Sequence, residues 1–586
     1  MDNKNRLLVL TLCSLVGVVQ AGEKEELLKL RNTTTNLIKE LVKQGVLTGK
    51  VAEDMIKKAE ADAESQVQQQ AEQIATTEPA AEAPEPGEVR VPYVPQFVKD
   101  EIRQQVRTEL REEVVGDVMQ KAKNEKWGIP DALPDWINRF TLSGDMRLRS
   151  QNDFMSGDNA EEQYLNYQEI NSRGGRTGIN DFINTTKDRH RFRERVRLAI
   201  DAKITDNLKA GIRLATGNQP DPVSTNQSLG NTGNQYNFNV DRAYLKYDAV
   251  NDEGFKWLTL AGGRIANPWY VGGGEFTGGS ELVWDTDLSF EGFAMTARHS
   301  LGSSKSVLDK HDDSRKVYAT AGAFPLQETE LSSSGKWLMG GQVGLDWGFE
   351  NQDALKVGIS YYDYINIQAK PNSSAIGDCD KNTAQNNLSV PQFLQFGNTL
   401  TGICEGLTTQ GESKDPVGDG NPRQYGLASD YNIINVNLSY DLAKFAPYHV
   451  IFGADFAKNV GFDKQTVNNY RYSKVLGSNN LNDDKIVDEE TNAWQVRMDF
   501  GWPKVDRAGK WNVFALYKYV ERDAVLDGFT DSDFHLGGTN AKGWVIGGNF
   551  GLMKNLWFTG RWLSTDVITG PTYGNDVLQL DLNAKF

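Results

Sequence analysis

Residues 189–200 read RHRFRERVRLAI, with an arginine at nearly every second position. Arg189, Arg191, Arg193, Arg195 and Arg197 share one parity; Phe192, Val196, Leu198 and Ile200 take the other. A period of two is that of a β-strand, whose successive side chains point to opposite faces. One face of this strand is therefore apolar and the other strongly basic. Glu194 falls on the apolar parity, which suits a rim or a subunit contact. The chain around it is acidic, with a net charge of −16. That balance argues against a nucleic-acid partner, because neutralising phosphates needs basic surface.

The same alternation recurs to the end of the chain. In VLQLDLNAKF (577–586), Leu578, Leu580, Leu582, Ala584 and Phe586 form one face, and Gln579, Asp581, Asn583 and Lys585 the other. IINVNLSYDL (433–442) and AWQVRMDF (493–500) repeat the pattern. Such segments begin near Arg139, Asp188, Asn207, Phe238, Phe255, Asp287, Arg315, Lys336, Asp353, Tyr431, Tyr448, Asn492, Lys510, Lys542, Asn555 and Asp576. They make about sixteen strands, an even number as in single-chain outer-membrane barrels. Short links (TDN, NDEG, FENQ, AKFAP, MKN) alternate with long ones, including residues 368–430 and 459–490. The expectation is an all-β transmembrane barrel over 137–586, its apolar faces toward lipid and its polar faces toward a water-filled lumen. Glycine (56), tyrosine (20), tryptophan (13) and phenylalanine (25) suit strands, turns and aromatic belts better than a helical enzyme.

The segment before the barrel is different. Residues 1–21, MDNKNRLLVLTLCSLVGVVQA, have the charged, apolar and small-residue order of a secretory signal, with cleavage after Ala21. The apolar run is too short for the roughly 20 residues of a spanning helix. Residues 22–65 read as a helical hairpin, with Leu27, Leu30, Thr34, Leu37 and Leu41 in a narrow seam. A Pro/Ala/Glu-rich linker spans 66–95, and a further helix and entry segment 96–136. Its stripe, Val98, Ile102, Val106, Leu110 and Val114, fits either a coiled-coil seam between copies or the buried side of a locally packed helix. After signal removal only Cys379 and Cys404 remain, and an oxidising compartment predicts one bridge between them.

Four stretches resemble the bacterial "putative porin" family: LRNTTTNLIKELVKQGVLTGKVAEDMIKKAEA, VRVPYVPQFVKDEIRQQVRTEL, NEKWGIPDALPDWINRFTLSGDMRLR and GGRIANPW. The resemblance covers nearly all of the mature chain. It implies a signal-cleaved barrel in the cell outer membrane with a periplasmic helical extension. The terminal Phe586 looks like the aromatic end-signal read by the barrel-assembly machinery. Likeness to general porins also implies a homotrimer, and an inward-folding loop facing a basic wall.

That loop is ANPWYVGGGEFTGGSELVWDTD, with Glu275, Glu281, Asp285 and Asp287. The candidate constriction sets these carboxylates against Arg195 and Arg197, with Arg191 and Arg193 above. Parity adds Arg213, Arg242, Arg264, Arg497 and Arg561 as further wall arginines. The competing view is that these charges are ordinary lumen polarity, mutually neutralised. GGGEFTGG lacks the Lys-Ser/Thr of a phosphate loop, and the aspartate-rich runs NDDKIVDEE and GDGNP lack the spacing of a calcium loop. Five scattered histidines offer no base beside a nucleophile. The expected function is passive diffusion of small hydrophilic solutes, without catalysis, metal or cofactor. The alternative is a barrel with no open channel that anchors the envelope or mediates adhesion.

Overall fold

The computed structural model describes residues 139–586, apart from 176–179, 273–278, 303–314, 330–333, 372–385, 406–407, 410–411, 414–421 and 470–486. Sixteen long strands form one antiparallel sheet. They are β1 (Phe140–Met155), β2 (Arg189–Lys203), β3 (Leu208–Ala215), β4 (Asn239–Val250), β5 (Lys256–Ala266), β6 (Ser289–Gly302), β7 (Arg315–Gln327) and β8 (Lys336–Gly348). The second half comprises β9 (Ala354–Ile365), β10 (Asn432–Leu442), β11 (His449–Asn459), β12 (Asn492–Gly501), β13 (Trp511–Val520), β14 (Ala541–Met553), β15 (Leu556–Val567) and β16 (Gly574–Lys585). Each pairs with its neighbours in the chain, and β1 pairs with β16 as well, so the sheet closes. All sixteen starts lie within two residues of those read from alternation. Closure leaves no strand edge without partners, which is the condition for a sheet in lipid.

Register carries the apolar parity from strand to strand. Ile200 of β2 stands beside Leu142 of β1 and Ile212 of β3, and all three are exposed. Phe293, Val343, Ile359, Val496 and Ile546 continue this exposed apolar face on later strands. So extensive an apolar belt suits hydrocarbon and not water. Aromatic clusters flank it. Trp494, Tyr517 and Trp544 lie toward the long-loop end, with ring centroids 5.4 and 4.6 Å apart in sequence. Tyr448 lies 5.8 Å from Trp502 and 5.6 Å from Trp511 at the short-turn end.

The seam ends on Phe586. Its amide donates to the Gly144 carbonyl at 3.1 Å, and the Gly144 amide donates back at 2.9 Å. A Cβ at position 144 would lie 2.5 Å from the Phe586 ring, so a glycine lets the terminal aromatic lie flat on the seam. Glu194 shares the outward parity with Val196, above the last β3 pairing. There β3 has ended, and the short segment Gln227–Ser228 completes the pairing of Arg193 and Glu194.

The interior departs from the expected polar lumen. Phe324 of β7, Leu338 of β8, Tyr362 and Tyr364 of β9, Ile433 of β10 and Val520 of β13 belong to a buried apolar core. Their partners are Trp269, Leu282 and Trp284 of loop 267–288, and Val525, Leu526 and Phe529 of loop 521–540. Trp284 lies 5.0 Å from both Tyr362 and Phe290, ring to ring. The physical reason is that these loops carry apolar side chains of their own, which are removed from water only by packing inside the barrel. Inward positions on that side are apolar because they face loop and not water. The signal, helices and linker of residues 1–136 lie outside the described residues, as does Cys379 of the expected bridge.

Candidate functional site

The arginine row of β2 faces the interior on the side opposite this core. Its nearest carboxylate comes from the neighbouring strand, since Asp145 of β1 is the register partner of Arg197. Asp145 accepts from Arg195 Nη2 at 2.9 Å and from Arg197 Nε at 2.8 Å. A second carboxylate arrives by loop. Asp287 lies 3.0 Å from Arg197 Nη1 and 3.6 Å from Arg195 Nη1. Asp287 is itself held by the Thr225 hydroxyl at 2.9 Å and the Thr225 amide at 3.2 Å, from loop 216–238. Arg147 of β1 donates to Asn226 in the same loop. Burial pushes the Asp287 carboxyl up, but Arg195, Arg197 and Arg147 outweigh it and hold the group below the usual carboxylate range.

Loop 521–540 supplies a third carboxylate that the alternating pattern does not reveal. Asp533 accepts from Arg149 of β1 at 3.0 and 3.1 Å, from Arg561 of β15 at 2.8 Å and from Gln579 of β16 at 3.0 Å. Arg149 also meets Asp581 of β16 through two bonds of 2.8 and 2.9 Å, and its side chain is fully buried. Burial raises the Asp533 carboxyl, yet Arg149 and Arg561 bring it well below its ordinary range. The two inward loops are stitched together. The Asp285 amide donates to the Phe529 carbonyl at 2.8 Å, and the Ser532 amide donates to Asp285 Oδ2 at 2.9 Å. The Thr530 hydroxyl donates to the Leu282 carbonyl at 2.9 Å.

Of the residues expected to face one another, Arg195, Arg197 and Asp287 are brought together. Asp285 and Glu281 are not opposite the arginines, which corrects that expectation. Asp285 accepts backbone amides from Asp287 and Ser532 and so serves the loop junction. Glu281 accepts from the Thr286 hydroxyl at 2.8 Å. Burial, then Asp531, raises the Glu281 carboxyl; burial, then Glu281 and Asp287, raises that of Asp285. Glu275 lies outside the described residues. Arg191 pairs with Asp153 at 3.3 Å, and Arg193 bonds the neutral Gln151 and Ser224 at 3.2 and 3.3 Å. Arg213 pairs with Asp241, and Arg242 donates to Ser289 at 3.3 Å. Arg497 pairs with Asp499 at 2.8 Å, away from the arginine row.

Arg264 is a second correction. It stands across from Glu291 and pairs with it, on the parity of Gly262 and the exposed Phe293. The inward position beside it belongs to Ile265, which is buried in the interior core. In LTLAGGRIA the small residues fall on both parities, so the sequence offers no contrast by which to choose a face.

The contribution of loop 521–540 has a visible signal in retrospect. AVLDGF places four apolar residues in a connection that solvent alone does not explain. The same holds for LVW in loop 267–288.

A search of curated proteins found no match. Among solved structures, similar chains include OprB of Pseudomonas putida at high pH, with 11% identity, 77% of this chain and 96% of that chain covered, and a TM-score of 0.39. The outer membrane channel DcaP of Acinetobacter baumannii has 10% identity, covers 76% and 97%, and scores 0.36. The anion-selective porin from Comamonas acidovorans has 11% identity, covers 76% and 99%, and scores 0.35. The family model described as "putative porin" matches residues 31–586, and the chain belongs to that family.

Proposed function

We propose that the protein is an outer-membrane channel through which small hydrophilic solutes diffuse passively, without catalysis. One observation carries this reading: Asp287 and Asp533 are brought by two separate loops against arginines of the barrel wall. Fixed charges of both signs, held by inward loops against the wall, are what a constriction that sorts solutes uses. In this reading the short turns and the region preceding β1 face the periplasm, and copies associate as trimers. The decisive experiment is planar-bilayer recording with purified full-length protein. Discrete ohmic steps support the channel, and their absence from correctly folded barrels refutes it.

A second reading has its own observation. Loops 366–431 and 521–540 are tied across the mouth: Asn398 donates to the Arg522 and Val525 carbonyls at 2.7 and 2.9 Å, and Thr399 bonds Asp523 at 2.6 and 2.9 Å. A barrel closed by its loops fits an envelope anchor or an adhesive mount. The same recording separates the two, since the second predicts silent barrels.

A further inference from the structure

Above Arg195, the arginine row continues into a cavity of about 470 Å³ near the long-loop end. That volume is within the ordinary range for a small-molecule site. One wall is the top of β2, with Arg189, Arg191 and Arg193. Across from it, loops 366–431 and 521–540 contribute Phe393, Leu394, Phe396 and Leu536. Two carboxylates also line the space, Asp153 and Asp221, so the titratable lining leaves one positive charge in excess. Burial pushes the Asp221 carboxyl up to about 6, which adds to that excess on the acid side.

Two side chains of this lining carry buried nitrogens without partners among the described residues. Arg193 is nine-tenths buried, meets only neutral oxygens and has a buried Nε with no partner among the described residues. His535 is also buried, and the Asn575 side-chain amide lies 3.2 Å from its Nδ1. The Thr565 hydroxyl lies 3.0 Å from the same nitrogen, so Nδ1 is engaged on the side away from Nε2. His535 Nε2 is buried and has no partner among the described residues. Burial brings the imidazole down to about 3, so it stays neutral in ordinary buffers. Buried donors without partners are rare in proteins and call for an acceptor.

We propose that this cavity binds a small organic monoanion with an apolar body, of the aryl carboxylate class. Its carboxylate meets Arg193 and the other arginines of β2, and its ring lies against Phe393, Leu394 and Phe396. The proposal rests on the channel reading for the ligand's onward passage, but binding itself does not require conduction.

The test is calorimetric titration of the full-length protein in detergent with benzoate, acetate and benzyl alcohol, against empty-micelle blanks. Saturable benzoate binding at least tenfold tighter than that of acetate or benzyl alcohol is expected. Arg193→Gln is expected to weaken benzoate binding at least tenfold in protein that still shows heat-modifiable migration. Phe393→Ala should weaken benzoate and leave acetate unchanged. Equal binding of benzoate and benzyl alcohol, equal binding of benzoate and acetate, or no benzoate binding would each overturn the proposal on unmodified protein alone, whatever the variants do. Conducting barrels that do not bind benzoate would remove this site and leave the channel reading intact. Silent barrels that do bind it would remove only the channel reading.

Discussion

Arg149 and Asp533 are 384 residues apart in sequence, yet both oxygens of the Asp533 carboxylate accept from Arg149 Nη1, at 3.0 and 3.1 Å. Asp581 takes the other side of the same guanidinium. The pair fastens loop 521–540 to the seam where β1 meets β16. Removing one partner of a buried ion pair leaves an uncompensated charge, which costs more than the pair contributes when intact. Asp533→Asn leaves Arg149 with Asp581 alone and takes the carboxylate from Arg561. We expect a loss of about 3 kcal/mol, near the lower end for such deletions because Asp581 remains. It should appear as a lower midpoint in thermal unfolding followed at fixed scan rate. An unchanged midpoint would mean that the contacts with loop 267–288 hold the loop by themselves.

Asp527 gives loop 521–540 a pH dependence. Burial, with Asp523 adding to it, pushes this carboxyl up to about 7. In the unfolded chain an aspartate titrates near about 4. Folding therefore takes up a proton between those values, and the residue's contribution to stability falls as pH rises through that window. Above about pH 7 the cost is complete, on the order of 4 kcal/mol. Asp527→Asn imitates the protonated form without its titration. The variant should unfold at a higher temperature than the parent at pH 8, and the two should converge near pH 4. A variant less stable than the parent at pH 8 would contradict the sign.

Phe586 closes the seam through two backbone bonds to Gly144 while the residue as a whole stays 62% exposed. Deleting Phe586 should lower the yield of folded, heat-modifiable barrel in the outer membrane, and Phe586→Tyr should restore most of it. Gly144→Val attacks the same contact from the other side, because its Cβ would meet both the ring and the Arg197 carbonyl. Normal assembly of the deletion would show that the terminal residue is only a lipid-facing ornament of β16.

Sixteen strands were legible because lipid and lumen make opposite demands on alternate residues, and that contrast survives in stretches such as Trp494–Phe500. Where it is absent, as around Gly262, Gly263 and Arg264, alternation gives no contrast between the faces, and the expected inner-wall position of Arg264 fails. The apolar inner wall formed by Phe324, Leu338 and Tyr362 was hidden for a related reason. A strand apolar on both faces records only that both are dry, not that a loop has entered the barrel. The meeting of Asp287 with Arg195 and Arg197 could be expected, because the likeness to general porins folds its loop inward against a basic wall. The role of Asp533 could not, since it depends on where Val525, Leu526 and Phe529 anchor their loop.

The arginine row itself can be tested as a filter. Arg195 and Arg197 each contact Asp145 and Asp287, so two guanidinium groups and two carboxylates meet at one level. Their charges nearly cancel there, while Arg147 and Arg193 have only neutral hydrogen-bond partners among the described residues. Fixed charge in a passage with low-dielectric walls concentrates the opposite ion, most strongly where the passage is narrowest. Arg195→Gln with Arg197→Gln should therefore move the reversal potential in a salt gradient toward cation preference. Asp287→Asn should move it toward anion preference, by removing a carboxylate from the same level. Both shifts should shrink as salt rises from about 0.1 M to 1 M, because the screening length falls from about 10 Å to about 3 Å. Asp285→Asn serves as the contrast: its carboxylate is engaged with the Asp287 and Ser532 amides and not with the arginines, so its effect on selectivity should be the smaller one. If the double arginine variant conducts with unchanged selectivity at low salt, permeating ions do not pass this cluster, and the row is an internal brace between wall and loop.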